Sequence, residues 1–181
     1  FVFQFFNLLP TLTIGDNMAF ALKSSKMPHA EVMAKVKTMA DMLDIAGILE
    51  KYPSSVSGGQ QQRASLGRAL VRKADLYLLD EPMGQLEPQL RALLRGRIKH
   101  YLRENNCTSI LVTHDQTEAN ALADRIAVME AGELLQYASP AELKNKPANL
   151  FTGAFIGFFF NDAATTEIYA SEKSISFKIE G

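Results

Sequence analysis

Two apolar runs, Leu76–Leu79 and Ile110–Val112, each stop abruptly on polar residues: Asp80-Glu81 after the first, Thr113-His114-Asp115 after the second. Short continuous apolar runs of this kind suit strands buried on both faces, as central strands of a parallel sheet are. Between them, Pro88–Leu102 reads as a helix, and Gly59 to about Arg72 and Gln116–Ala123 read as helices on either side. Strands alternating with helices of this length imply an α/β fold with a mostly parallel sheet covered on both faces. In such sheets ligand chemistry collects where strands give way to loops, so Asp80, Glu81 and His114 are the first residues to consider.

The remaining organisation is coarser. Phe1–Gln4 reads as a strand, followed by a loop through Pro10 and a short helix capped by Asp16 or Asn17. Pro28 introduces a second helix whose apolar face, Val32, Val36, Met39 and Leu43, runs until Gly47. Ser57 caps the helix that begins at Gly59. Ile126–Met129 and Leu134–Tyr137 read as strands joined by an Ala131-Gly132 turn, and Ser139-Pro140-Ala141-Glu142 starts a helix with a capping-box pattern.

Three motifs follow in fixed order between Val56 and His114. Ser57-Gly58-Gly59-Gln60-Gln61 sets paired glycines at a helix N-terminus, where exposed N–H groups and the helix dipole favour an anion; Ser-Gly-Gly is also an ordinary flexible turn. Asp80 and Glu81 offer two carboxylates at a strand end, suited to a hard cation and to proton transfer, although a surface Asp-Glu pair is common. His114 at a strand end is by itself more often structural than catalytic. No glycine in the chain is followed by lysine, so the sequence holds no G-x-x-x-x-G-K-[ST] phosphate loop.

Taken together, these motifs resemble the ATP-binding-cassette (ABC) ATPases, and within them the carbohydrate-importer type that serves maltose or glycerol phosphate. The resemblance covers about residues 1–157, with Pro147–Phe151 and Phe155–Gly157 among the stretches that carry the subfamily likeness. It implies a P-loop NTPase-type ABC domain with a helical subdomain, lacking its N-terminal phosphate-loop portion. It also implies ATP and Mg²⁺ as cofactors. Ser57, Gly58, Gly59 and Gln60 would be the signature motif that contacts the γ-phosphate held by a second, head-to-tail ATPase subunit. Asp80 would hold Mg²⁺, Glu81 would polarise the attacking water, and His114 would be the switch histidine. Gln4 resembles the Q-loop glutamine that reaches Mg²⁺ or the attacking water. Glu87 stands where the family's D-loop carries Asp; the extra methylene shifts the charge by roughly 1.5 Å.

The resemblance divides the chain into a partial ATPase domain at 1–136, with a helical subdomain at about 8–56, and a linker at 137–157. The helical subdomain would receive a coupling helix of a transmembrane permease, and an extracytoplasmic solute-binding protein would act indirectly. The expected location is the cytoplasmic face of the plasma membrane. Phe1, with no initiator Met or basic leader, is expected to be a cut end, and the chain a fragment inactive alone. A docking or complementation module without catalysis is the alternative. A chromosome-type ATPase would need a long coiled coil between Gln4 and Ser57, where only about 50 residues lie without sustained heptads.

The net charge of −1 gives no footprint for nucleic acid. Cys107 is alone, which excludes an internal disulfide and fits a reducing compartment. No apolar run approaches the roughly 20 residues of a membrane span. Residues 158–181 carry no family likeness; 158–170 resemble the translation of a sequencing-adapter oligonucleotide, whereas Ser174–Ile179 alternates as a strand does.

Overall fold

The computed structural model describes residues 1–3 and 5–156, and the backbone of a strand at Ile175–Ile179. In chain order the elements are α1 (Ile14–Phe20), α2 (His29–Met42), α3 (Gly58–Leu70), β1 (Leu76–Asp80), α4 (Pro88–Glu104), β2 (Thr108–Thr113) and α5 (Gln116–Leu122). They continue with β3 (Arg125–Glu130), β4 (Glu133–Ala138), α6 (Pro140–Asn145), α7 (Leu150–Ile156) and β5 (Ile175–Ile179). The five strands form one sheet in the order β1-β2-β5-β3-β4.

Parallel pairing joins β1 to β2, in register from Leu76↔Thr108 to Asp80↔Val112. The other pairings, β2–β5, β3–β5 and β3–β4, are antiparallel, so the described sheet is less parallel than the alternation of elements suggested. Nor is β1 a central strand here. Among the described residues its free edge meets only Val2, which donates to the Leu78 carbonyl and accepts from the Asp80 amide. Leu76 is accordingly exposed while Tyr77 and Leu79 are buried. The expected strand at 1–4 is reduced to that bridge, and Gln4 lies outside the described residues. The β3–β4 turn is the expected one: Ala131 and Gly132 both take positive φ, as a two-residue hairpin of type I′ requires.

Helix α4 buries Leu94, Ile98 and Leu102, spaced four apart, so one stripe faces the core. The helical end of the molecule packs α1 and α2 against α3, with Ile14, Met18, Val36, Leu43, Leu66 and Leu70 fully buried. Gly67 allows the close approach: a Cβ there would lie 2.8 Å from Met18 Cε and 3.0 Å from Leu43 Cδ1. Residues 137–156 finish β4, form α6 and α7, and add Leu143, Phe155 and Ile156 to the same core.

Two helix boundaries differ from expectation, both because side-chain bonds to the main chain set them. The cap of α1 is Thr13, whose hydroxyl accepts from the Asp16 amide. Asn17 is instead inside the helix and fully buried, donating to the carbonyls of Leu9, Leu12 and Thr13 and accepting from Leu9 N–H at 2.7 Å. α2 stops at Met42 rather than running to Gly47, and Asp44 takes a positive φ of 55°. The buried Arg63 guanidinium donates to the Leu43 and Asp44 carbonyls just past the helix, while the last carbonyls of α2 are met by the Leu43, Asp44 and Ile45 amides and by Arg97.

Asn17 uses its whole amide on the Leu9–Thr13 loop, and a buried polar group stripped of its partner costs about 1–3 kcal/mol. Asn17→Ala should therefore lower unfolding stability by about 2–4 kcal/mol, read as a lower urea midpoint at unchanged slope. A change below about 0.5 kcal/mol would contradict this account.

Candidate functional site

The site lies where β1 and β2 end side by side. Because the strands are parallel, their polar termini emerge at the same end of the sheet. The ladder continues one step past β1: the Glu81 amide donates to the Val112 carbonyl at 2.9 Å. Glu81 then turns sharply, with φ 43°, in the left-handed region that side-chain-bearing residues seldom adopt. That turn brings its carboxylate to His114, whose Nδ1 lies 2.7 Å from Glu81 Oε1. In the tautomer with a proton on Nδ1, His114 donates in this bond to the Glu81 carboxylate. Glu81 is partly buried and His114 mostly exposed.

Asp80, half-buried, ends β1, and no hydrogen bond to its carboxylate is made by the described residues. Such an uncommitted carboxylate fits Mg²⁺, which takes few protein ligands and keeps water and phosphate oxygens as the rest. Among the described residues no cluster of three or more His, Cys, Asp or Glu side chains forms a protein cage for a metal.

The Ser57 motif stands beside this corner, in the same chain. Ser57 Oγ accepts from the Gln60 amide and Gln60 Oε1 accepts from the Ser57 amide, a complete capping box. The S-x-x-Q spacing was its sequence signal. Gly58 and Gly59 face the loop after Glu81 closely. An added Cβ would sit 2.8 Å from Gln85 Oε1 at Gly58 and 3.2 Å from the Gln85 carbonyl at Gly59. Within this chain the glycine requirement is thus met by the loop itself. Gln62, buried, joins the two segments: its Nε2 donates to the Glu81 carbonyl and its Oε1 accepts from the Gln85 amide, both at 2.8 Å. Sequence reasoning passed over Gln62, because nothing in a run of three glutamines marks the one that turns inward.

Glu87 is exposed and occupies the N-cap of α4 with Pro88 at the first helical position, yet its side chain makes no capping bond. Gln4 falls outside the described residues. On the other side of His114, Asp115 caps α5 by accepting from the Glu118 amide and pairs with Arg91 at 2.8 Å. Burial opposes ionisation of Asp115. The Glu118 amide, the Arg91 guanidinium and the Thr117 amide outweigh it and hold the carboxyl below its usual range. Glu118 is different: burial dominates and pushes its carboxyl up, with Thr113 Oγ donating to it in partial opposition.

No helix among the described residues is long and apolar enough to cross a membrane. A family model described as ABC transporter matches residues 1–84. The chain is 46% identical over 169 residues to the trehalose/maltose import ATP-binding protein MalK of Thermococcus litoralis, covering 92% of this chain and 45% of that protein. It is 46% identical over 156 residues to the sn-glycerol-3-phosphate import ATP-binding protein UgpC of Cereibacter sphaeroides, covering 86% and 45%. The trehalose import ATP-binding protein SugC of Mycobacterium tuberculosis is 45% identical, with 86% and 40% covered. The chain thus spans less than half the length of these relatives. Among solved structures, the dimeric bacterial ABC transporter cassette MJ0796 aligns with a TM-score of 0.70 at 30% identity, over 76% of this chain and 61% of that one. The same cassette in a post-hydrolysis state with ADP and Pi gives 0.69 at 28% identity, with 76% and 61% covered.

Two expectations follow from the geometry. Glu87→Asp places a shorter carboxylate within reach of the first-turn amides and should stabilise the chain by about 0.5–1 kcal/mol, seen as a raised melting temperature. An unchanged or lowered value would mean the α4 N-terminus gains no cap. For Glu118, the folded-state pKa is raised, so its contribution is full below the unfolded Glu value and is lost as pH rises through the folded one. Glu118→Gln should flatten that decline in urea titrations between mildly acidic and neutral pH; an equally steep decline in the variant would refute the assignment.

Proposed function

The chain belongs to the ATP-binding-cassette ATPases of ABC transporters, and from that premise we propose that it is part of the ATP-binding and hydrolysing subunit of an importer for a sugar or related solute. The observation that carries the proposal is the contact between Glu81 and His114 at the ends of neighbouring parallel strands. In this reading Glu81 takes up or directs the proton of the water attacking the γ-phosphate, and His114 holds the γ-phosphate geometry. Asp80 holds Mg²⁺, which when bound neutralises charge on the phosphate oxygens. Gln4 contributes from the Q-loop position, although its placement lies outside the described residues.

The signature Ser57-Gly58-Gly59-Gln60 serves the other half of the assembly. At the N-terminus of α3 it completes the nucleotide site of a second, head-to-tail ATPase subunit, with main-chain N–H groups available to an anion. Glu87, in the loop that faces that subunit, stands in for the usual Asp. The dimeric cassette that this chain resembles supports such a pairing. A groove of about 540 Å³ beside α1 and α2, lined by Leu12, Ala19, Phe20, Leu22, Met27 and Val32 among others, would receive the permease's coupling helix. The subunit would lie on the cytoplasmic face of the membrane, with a solute-binding protein acting through the permease. Trehalose, maltose and glycerol 3-phosphate, named for the relatives, support a sugar or related solute.

A second reading is docking or complementation without catalysis. The two are separated by calorimetry and turnover. The 181-residue chain alone is expected to bind Mg-ATP weakly or not at all. In the dimeric ATPase that carries these residues, Glu81→Gln should cut kcat by roughly 10²–10⁴-fold while ATP still binds. Hydrolysis retained by that variant would remove Glu81 from the chemistry and sink the catalytic reading.

A further inference from the structure

We propose that Arg91 is a positioning residue that locks the Glu81 turn to the His114 turn. Its guanidinium, three-quarters buried, reaches three acceptors from the first turn of α4. Nη2 donates to the Gly84 carbonyl at 3.2 Å and to the Leu86 carbonyl at 3.1 Å. Nη1 donates to Asp115 Oδ2 at 2.8 Å. Two of these acceptors lie on the loop that leaves Glu81, and the third is the residue that follows His114. Glu81 and His114 come from strands of separate sequence origin, and Arg91 spans the segments that continue from each of them.

The chemistry requires arginine. Only a planar fork with five N–H groups can serve two carbonyls and a carboxylate in fixed directions, whereas a lysine ammonium supplies a point charge on a flexible stem. Asp115 is itself immobilised, because its other oxygen accepts the Glu118 amide at the start of α5. The amide of Asp115 in turn donates to Thr113 Oγ, tying it back to the end of β2. Gln62 restrains the opposite side of the loop at Glu81 and Gln85, and on the His114 side Arg91 is the side-chain restraint that adds to the Glu81 amide–Val112 carbonyl bond.

This inference rests on reading Glu81 and His114 as a working pair, but its test needs no nucleotide. The measurement is the imidazole nitrogen spectrum of the full 181-residue chain by NMR, with exposed His29 as the unconstrained reference. The native chain should show His114 ring-nitrogen shifts that mark a proton on Nδ1. Arg91→Ala and Arg91→Lys should both lose that signal and leave His114 resembling His29, while circular dichroism reports a folded chain. Should Arg91→Ala not fold, Asp115→Asn carries the test, since it keeps the side-chain size but weakens the anchor of Nη1; it too should lose the signal. Retention of the signal in the folded variants, with only a lower melting temperature, would make Arg91 a stabilising residue and overturn the inference. So would absence of the signal from the native chain, because there would then be no Glu81–His114 contact for Arg91 to hold. Retained hydrolysis in Glu81→Gln, by contrast, would sink the catalytic reading and leave the Arg91 lock standing.

Discussion

The parallel register of β1 and β2 is the constraint on which the rest of the site depends. Five residue pairs set it, from Leu76↔Thr108 to Asp80↔Val112. A slip of one residue would turn every side chain of one strand to the opposite face and shift its end by about 3.3 Å. Either change would part Glu81 from His114. Burial of Tyr77, Leu79 and Leu111 on the core side is what makes such a slip costly, at about 1.5–3 kcal/mol for each large apolar side chain brought into water. The placement of a polar pair is therefore enforced by apolar residues that never touch it.

Buried polar side chains then position the segments around that register, and they do so mainly through backbone atoms. Asn17 folds the loop before α1, Arg63 holds the chain just past α2, Gln62 ties α3 to the Glu81 turn, and Arg91 ties that turn onward. Bonding to main chain fixes where a segment lies whatever its side chains are. The accounting is not complete: Arg91 Nε and Glu118 Oε1 are buried without a hydrogen-bond partner. Both belong to the corner beside His114, but Ser109 Oγ, Asp124 Oδ2, Arg125 Nε and Thr152 Oγ1 are buried without a partner too, so unmet polar groups are not confined to the candidate site.

How much was legible in the sequence follows from the range of the interactions involved. The bounds of β1, the capped start of α3, the Ala131-Gly132 hairpin and the Ser139 capping box all depend on neighbours a few residues apart, and the residues announce them. The cap of α1 and the end of α2 were misread. Asn17 is taken up by a loop it helps to fold, and the chain just past α2 is held by Arg63, about twenty positions further along. The parallel character of the sheet was overestimated for a similar reason: helix alternation identifies β1 and β2 but says nothing of β5, which enters between β2 and β3. At the site, Asp80, Glu81 and His114 were visible as strand-end residues. Gln62 and Arg91 were not, since their significance arises from contacts with carbonyls.

The left-handed turn at Glu81 has a kinetic side. Its amide is committed to the Val112 carbonyl, and its own carbonyl accepts from both Gln62 Nε2 and the Gly84 amide. The peptide units on either side therefore cannot swing without breaking hydrogen bonds to β2, to α3 and within the loop itself. What freedom remains is in the side-chain torsions, which in a partly buried, hydrogen-bonded residue exchange more slowly than the picoseconds to nanoseconds of exposed ones. The carboxylate thus reorients on an effectively stationary pivot. Millisecond events at this corner are then expected from larger bodies moving against one another.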